Sequence, residues 1–66
     1  MRRYQPALNL LNRVIAESPG YSRAWSNRAA IFLIAGNRAQ ARADAEQALR
    51  LDPSNTQARN VLLRLK

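Results

Sequence analysis

The chain has 66 residues, which is enough for one small domain. It contains no cysteine, no histidine and only four acidic residues, so thiolate and imidazole chemistry are excluded and few groups remain for acid–base catalysis or metal binding. Ten arginines and one lysine against those acids give a net charge of +7. We therefore predict a basic, non-enzymatic protein that needs no cofactor and no metal.

Helix breakers divide the chain into four stretches with apolar residues spaced three and four apart. Pro19-Gly20, Gly36 and Pro53 separate the stretches, whereas Pro6 falls in an opening turn, where its missing amide hydrogen is tolerated. This spacing predicts helices over 4–17, 22–35, 38–51 and 55–65. No run alternates as a strand would. The predicted fold class is all-α, a series of antiparallel helical hairpins forming one domain over 1–66.

Each predicted helix carries one apolar stripe. Alanine dominates the third stripe, which lets a neighbouring helix approach closely. The stripe residues are, in chain order, Tyr4, Leu8, Leu11 and Ile15; Ala24, Trp25, Ala29, Phe32 and Leu33; Ala41, Ala45, Ala48 and Leu49; and Ala58, Val61, Leu62 and Leu65.

Polar residues before the helices predict their N-caps. Ser22 is the expected cap of the second helix, and Asn37, with Gln40 three residues later, that of the third. Ser54 followed by Gln57 predicts a capping box for the fourth.

A spacing of 34 residues relates the two halves of the chain. It separates Pro19 from Pro53, as well as two alanine pairs, Ala7 and Ala41 and Ala24 and Ala58. Three identities are no more than chance allows, but each marks a helix end or a close-packing point. A helix–turn–helix period of this length is that of the tetratricopeptide repeat.

The stretch 22–55 resembles one full tetratricopeptide repeat. The resemblance rests on Ala24-Trp25, Ala29, Phe32, Gly36, Ala41, Ala48-Leu49 and Leu51-Asp52-Pro53. The flanks, 4–21 and 56–66, resemble half-repeats, which implies a short α-α superhelix with Trp25 and Phe32 in its core. Because such arrays usually need at least three repeats, we expect either a fragment of a longer array or a self-associating unit.

The resemblance also implies a peptide-binding groove lined by the first helices of successive repeats. Transferred to this sequence, its residues are Arg23, Ser26, Asn27, Ala30, Leu33, Ile34, Gln57, Asn60 and Arg64. Arg23 and Arg64 would bind carboxylates, the amides and Ser26 a peptide backbone, and Leu33 and Ile34 an apolar side chain. Asn27 also matches the asparagine of the carboxylate-clamp subgroup, but Gln57 and Val61 stand where that subgroup has basic residues.

Arg28 stands where the family usually has a large aliphatic residue, and two interpretations remain open. Its guanidinium extends from the edge of the core, or it faces the groove.

The leading function hypothesis is a protein-interaction module for peptide or protein segments, including acidic segments and C-terminal carboxylates. One alternative is electrostatic nucleic-acid binding, motivated by the net charge of +7. The other is homo-oligomerisation through Leu8, Leu11 and Ile15 or through Leu62 and Leu65. With no signal-peptide pattern and no membrane-spanning stretch, we expect a cytoplasmic location.

Overall fold

A computed structural model describes residues 3–66 of the chain. Four helices account for its regular structure: α1 (Gln5–Glu17), α2 (Ser22–Ile34), α3 (Arg38–Leu51) and α4 (Thr56–Arg64). The described residues include no strand, which confirms the all-α prediction. Each helix lies within two residues of its predicted bounds. Met1 and Arg2, and with them part of the predicted domain 1–66, lie outside the described residues.

The helices form a stack of hairpins with two open ends. Within residues 3–66, α2 packs against α1, α3 and α4, while α3 also packs against α4 and α1 packs only against α2. The molecule measures 33 × 31 × 16 Å, so its shortest dimension corresponds to about two layers of helices. This flat shape leaves α2 and α4 side by side along one face.

Alanine forms the centre of the core. The alanines of α3 face those of α2 and α4, and all five are fully excluded from solvent: Ala29, Ala41, Ala45, Ala48 and Ala58. Trp25 and Phe32 are partly buried and pack against this cluster from its edge. The indole Nε1 of Trp25 donates a hydrogen bond to the carbonyl oxygen of Pro19 at 2.8 Å. The predicted core is confirmed, and the large rings cover its border.

Arg28 lies at the edge of this core, and its partner is an aspartate. Its Nε and Nη2 atoms donate to the two carboxylate oxygens of Asp44 at 2.7 and 2.9 Å, and its Nη1 donates to Asn12 Oδ1 at 2.9 Å. The guanidinium carbon also lies 5.2 Å from the centre of the Trp25 ring and 5.8 Å from that of Phe32. The interpretation that the Arg28 guanidinium extends from the edge of the core is therefore correct.

Two of the three predicted N-caps are wrong. Ser22 lies inside α2, after the cap position of Tyr21, and its hydroxyl donates to the carbonyl oxygen of Ala48 at 2.8 Å. In α4 the cap is Asn55, whose Oδ1 accepts from the amide of Ala58 at 3.0 Å. Ser54 instead donates to Asp52 from its amide and its hydroxyl. In both loops the N-cap lies one residue away from its predicted position.

The cap of α3 is confirmed, and it follows a glycine that the turn requires. Asn37 Oδ1 accepts from the amide of Gln40 at 3.3 Å. Gly36 has a φ of 88°, in the left-handed region. The amides of Gly36 and Asn37 donate to Leu33 and Phe32, which is the Schellman pattern that ends a helix.

The 34-residue spacing recurs in the geometry of the loops. Trp25 Nε1 donates to the carbonyl of Pro19, and 34 residues later Arg59 Nη2 donates to the carbonyl of Pro53 at 3.1 Å. The amide of Tyr21 donates to Ser18, and that of Asn55 to Asp52, both at 3.0 Å. The two halves therefore repeat as structures although few of their residues are identical.

The faces at the two ends of the stack differ from those predicted. Ile15 and Leu65 are buried within the chain, so neither is available to a second molecule. Leu10 of α1 and Leu63 of α4 are instead 60% and 54% exposed. The predicted stripes are therefore the sides of α1 and α4 that pack within the chain, and each of these helices keeps a second apolar side outside.

Candidate functional site

The predicted site residues lie along the face where α2 runs beside α4. Two depressions follow this face. The polar depression has a volume of about 540 Å³ and is lined by Gly20, Tyr21, Ser22, Arg23, Ser26, Leu51, Asp52, Ser54, Asn55, Thr56 and Gln57. The apolar depression has a volume of about 340 Å³ and is lined by Leu33, Ile34, Thr56, Gln57, Asn60, Val61 and Arg64. Thr56 and Gln57 belong to both, so the two form one continuous groove.

The apolar depression brings together five of the nine predicted residues. Leu33 and Ile34 come from the last turn of α2, and Ile34 is 58% exposed. Gln57, Asn60 and Arg64 come from α4, at spacings that place them on one side of that helix. This arrangement offers an apolar floor with an amide and a guanidinium at its margin.

Arg23 lies in the polar depression, beside an acidic residue that the sequence analysis did not assign to the groove. Both α2 and α4 begin here, so the partial positive charge of two helix N-termini adds to that of Arg23. Asp52 opposes them. Hydrogen bonds from the Ser54 hydroxyl at 2.7 Å and the Ser54 amide at 3.0 Å hold the pKa of Asp52 below its usual value. Asp52 is therefore ionised at neutral pH.

Ser26 does not present its hydroxyl to a ligand. It is fully buried, and the hydroxyl donates to Gln57 Oε1 at 2.8 Å, with the carbonyl of Arg23 at 3.1 Å as the alternative acceptor. The Ser26 side chain links α2 to α4 beneath the groove, and its binding to a peptide backbone stays a prediction. Gln57 keeps its amide nitrogen for other partners.

Asn27 and Ala30 line neither depression. Both are partly buried, and Ala30 packs against the alanine core. The structure therefore does not place Asn27 among the groove residues, which leaves the carboxylate-clamp resemblance without its characteristic side chain in the groove.

Sequence reasoning missed several groove residues in α4 and at its N-cap. Asn55 Nδ2 donates to Ser22 Oγ at 2.8 Å, and this contact fixes the polar depression from below. Thr56 joins the two depressions, and Val61 supplies part of the apolar floor. The available signal was the helical spacing of Thr56 from Asn60 and Arg64, which places all three on one side of α4.

Several arginines make hydrogen bonds within the molecule. Arg28 binds Asp44, Arg38 Nη2 donates to the carbonyl of Leu65 at 3.0 Å, and Arg59 binds Pro53. Of these three arginines, Arg28 alone is paired with a carboxylate, so the charges of Arg38 and Arg59 are not neutralised. Nucleic-acid binding stays a prediction with no specific support in the fold.

A stack of paired helices with an open groove along one face defines a helical repeat protein of the protein-interaction class. The sequence comparison agrees with this geometry. The chain belongs to the tetratricopeptide repeat family, whose model matches residues 22–55, about half of the sequence. Neither the curated proteins nor the solved structures include a match to this chain. Members of the family are generally non-catalytic. No helix in residues 3–66 has the length and apolarity needed to cross a bilayer.

Proposed function

We propose that the groove between α2 and α4 binds an extended segment of a partner protein that carries an apolar side chain next to a carboxylate. The continuity of the polar and apolar depressions at Thr56 and Gln57 carries this proposal. A continuous groove accepts several consecutive residues of a peptide, whereas two isolated cavities would each accept one side chain.

The apolar depression supports the choice of an apolar side chain. Ile34 is more than half exposed although it is a large aliphatic residue, and Leu33 and Val61 lie beside it. Covering these groups removes apolar surface from water, which is favourable by about 25 cal/mol per Å². A leucine, isoleucine or phenylalanine of the partner fits this floor.

The arginines support the choice of a carboxylate, and the lining of the groove favours Arg64 over Arg23 as its partner. Among the described residues, the one ion pair joins Arg28 to Asp44, so Arg23 and Arg64 have no acidic partner. Asp52 lies with Arg23 in the polar depression, whereas no acid lines the apolar depression. We therefore assign the carboxylate to Arg64 and a weaker, longer-range attraction to Arg23. The carboxylate belongs either to an acidic side chain or to a chain terminus.

Fluorescence anisotropy with labelled acidic peptides tests this assignment. Each peptide carries one leucine beside a glutamate and is used with a free and with an amidated C-terminus, which separates the two sources of carboxylate. Arg64→Glu is expected to raise the dissociation constant ten- to a hundredfold, because a hydrogen bond to a charged group contributes about 1.5–3 kcal/mol. Arg23→Glu is expected to have a smaller effect.

Arg42→Glu is the matched control, because Arg42 is exposed on α3 and lines neither depression. It changes the net charge by the same amount and is expected to leave the dissociation constant within about twofold, since it lies outside the groove and salt screens exposed charges. An equal loss for Arg42→Glu and Arg64→Glu would mean that net charge alone attracts the peptide. Absence of binding to every peptide would refute the groove.

A further inference from the structure

The two open ends of the stack carry faces that match each other. A shift of 34 residues places α4 on α2 and α1 on α3, as the repeated loop geometry shows. Within the chain, α2 and α3 form the hairpin that contains the ion pair of Arg28 and Asp44. The position equivalent to Arg28 in α4 is Leu62, and the position equivalent to Asp44 in α1 is Leu10.

Both members of the ion pair are thus replaced by leucine at the ends. If only one had changed, the other end would hold a charged group that its counterpart could not satisfy, at a cost of several kcal/mol when buried. Instead, each end offers a leucine where the internal hairpin has a charged side chain. The two faces are complementary to each other, as the two sides of the internal hairpin are.

Exposure confirms that these faces are free within the described residues. Leu10 is 60% exposed, whereas its equivalent Asp44 is 3% exposed. Leu63 is 54% exposed, whereas its equivalent Ala29 is fully buried. The same structural positions are therefore covered inside the chain and open at its ends.

We propose that the α4 face of one copy, defined by Leu62 and Leu63, binds the α1 face of a second copy, defined by Leu10 and Leu11. The junction repeats the α2–α3 arrangement between molecules. It is a heterologous contact, so copies add head to tail and the assembly does not close at a dimer. This surface is separate from the peptide groove, and α2 and α4 of successive copies would extend that groove across each junction.

Salt dependence distinguishes this assembly from binding of an acidic ligand. Each copy carries a net charge of +7, so two copies repel each other at long range, while the contact itself is apolar. Raising the salt concentration screens the repulsion. Self-association is therefore expected to strengthen between 50 and 500 mM sodium chloride, a range over which binding of an acidic peptide weakens.

Sedimentation equilibrium of the full chain tests the proposal. The mean mass is expected to rise with protein concentration without a plateau at twice the monomer mass. Leu10→Asp and Leu63→Asp are each expected to lower the association constant at least tenfold. Ile34→Asp is the matched control, since Ile34 is similarly exposed but lies in the groove. It is expected to leave assembly unchanged while weakening peptide binding. Circular dichroism checks that each variant stays helical.

Mixing the two end variants gives the decisive result. Leu10→Asp keeps an intact α4 face and Leu63→Asp keeps an intact α1 face, so each alone is expected to be monomeric and an equimolar mixture to form a dimer. If either variant alone still formed dimers, the contact would be isologous and the head-to-tail arrangement would be wrong. A monomeric wild-type chain at millimolar concentration in 500 mM salt would overturn the proposal altogether.

Discussion

Arg28 joins three of the four helices through one side chain. Its guanidinium binds Asp44 of α3 with two parallel hydrogen bonds and Asn12 of α1 with a third, while its own helix supplies the Trp25 and Phe32 rings. The hydrogen bonds that Arg28 donates to Asp44 are the main reason that the pKa of Arg28 is raised, and desolvation opposes this shift. A residue that breaks the family pattern is therefore placed where a planar cation has several partners.

Removing Asp44 is expected to destabilise the fold strongly. Asp44→Ala leaves the Arg28 charge at the core edge without its counter-ion, and we expect the free energy of unfolding to fall by about 2–3 kcal/mol, below the range for a fully buried pair because the Arg28 side chain is 19% exposed. The double variant Arg28→Leu/Asp44→Leu removes both charges, as the chain itself does at Leu62 and Leu10. It is expected to recover most of the loss in urea unfolding followed by circular dichroism. Equal instability of the double and the single variant would contradict this account.

Asp52 gives the chain a predictable response to acid. Because the hydrogen bonds from Ser54 lower its pKa in the folded state, its contribution to stability is present above pH 3.8 and is lost as the pH falls through the lower folded pKa. Ser54→Ala removes the hydroxyl donor, so the pKa of Asp52 is expected to rise towards 3.8. Carbon-13 NMR titration of the Asp52 carboxyl measures this directly, and an unchanged pKa would show that the hydroxyl has no part in the shift.

At the scale of the helices, the bounds were predictable and the capping details were not. Proline and glycine leave few ways to end a helix, which is why each predicted helix lies within two residues of its position. The choice of cap depends on how the loop packs. Asn55 takes the cap of α4 because its amide also reaches Ser22 of α2, a contact between residues 33 positions apart that no local pattern shows.

The corrected cap of α4 can be tested with a matched pair of variants. Asn55→Ala removes both the cap of the Ala58 amide and the bond to Ser22, and we expect a loss of about 1–2 kcal/mol in the free energy of unfolding. Ser54→Ala, at the cap predicted from sequence, is expected to cost less than about 0.5 kcal/mol at neutral pH, as exposed substitutions usually do. Thermal unfolding followed at 222 nm compares them. The reverse order of stability would restore Ser54 as the cap.

At the scale of the whole molecule, the family resemblance predicted the helical stack and most of the groove. Seven of the nine predicted residues line its two depressions, because helical spacing and the position of each helix in the repeat determine which side faces the groove. The Ser26 hydroxyl donates to Gln57 across the helix interface, a contact that the family pattern does not predict. The ion pair of Arg28 and Asp44 was missed although both residues lie on facing apolar stripes. Once the two stripes are paired, two opposite charges on them predict an ion pair.

The groove and the end faces occupy different sides of the same stack. Leu33, Ile34 and Arg64 lie along α2 and α4, whereas Leu10 and Leu63 lie at the open ends. A variant in one surface therefore leaves the other intact. This separation allows the groove residues and the assembly residues to be substituted separately in the same molecule.

Amide NMR mapping of a bound acidic peptide tests the groove most directly. Titration into the nitrogen-15-labelled chain is expected to shift the amide signals of Leu33, Ile34, Asn60 and Arg64 most strongly. Those of Arg42, Glu46 and Arg50, which lie on exposed positions of α3, are expected to stay in place. Shifts concentrated on α3, or spread evenly over the arginines, would contradict a binding groove between α2 and α4.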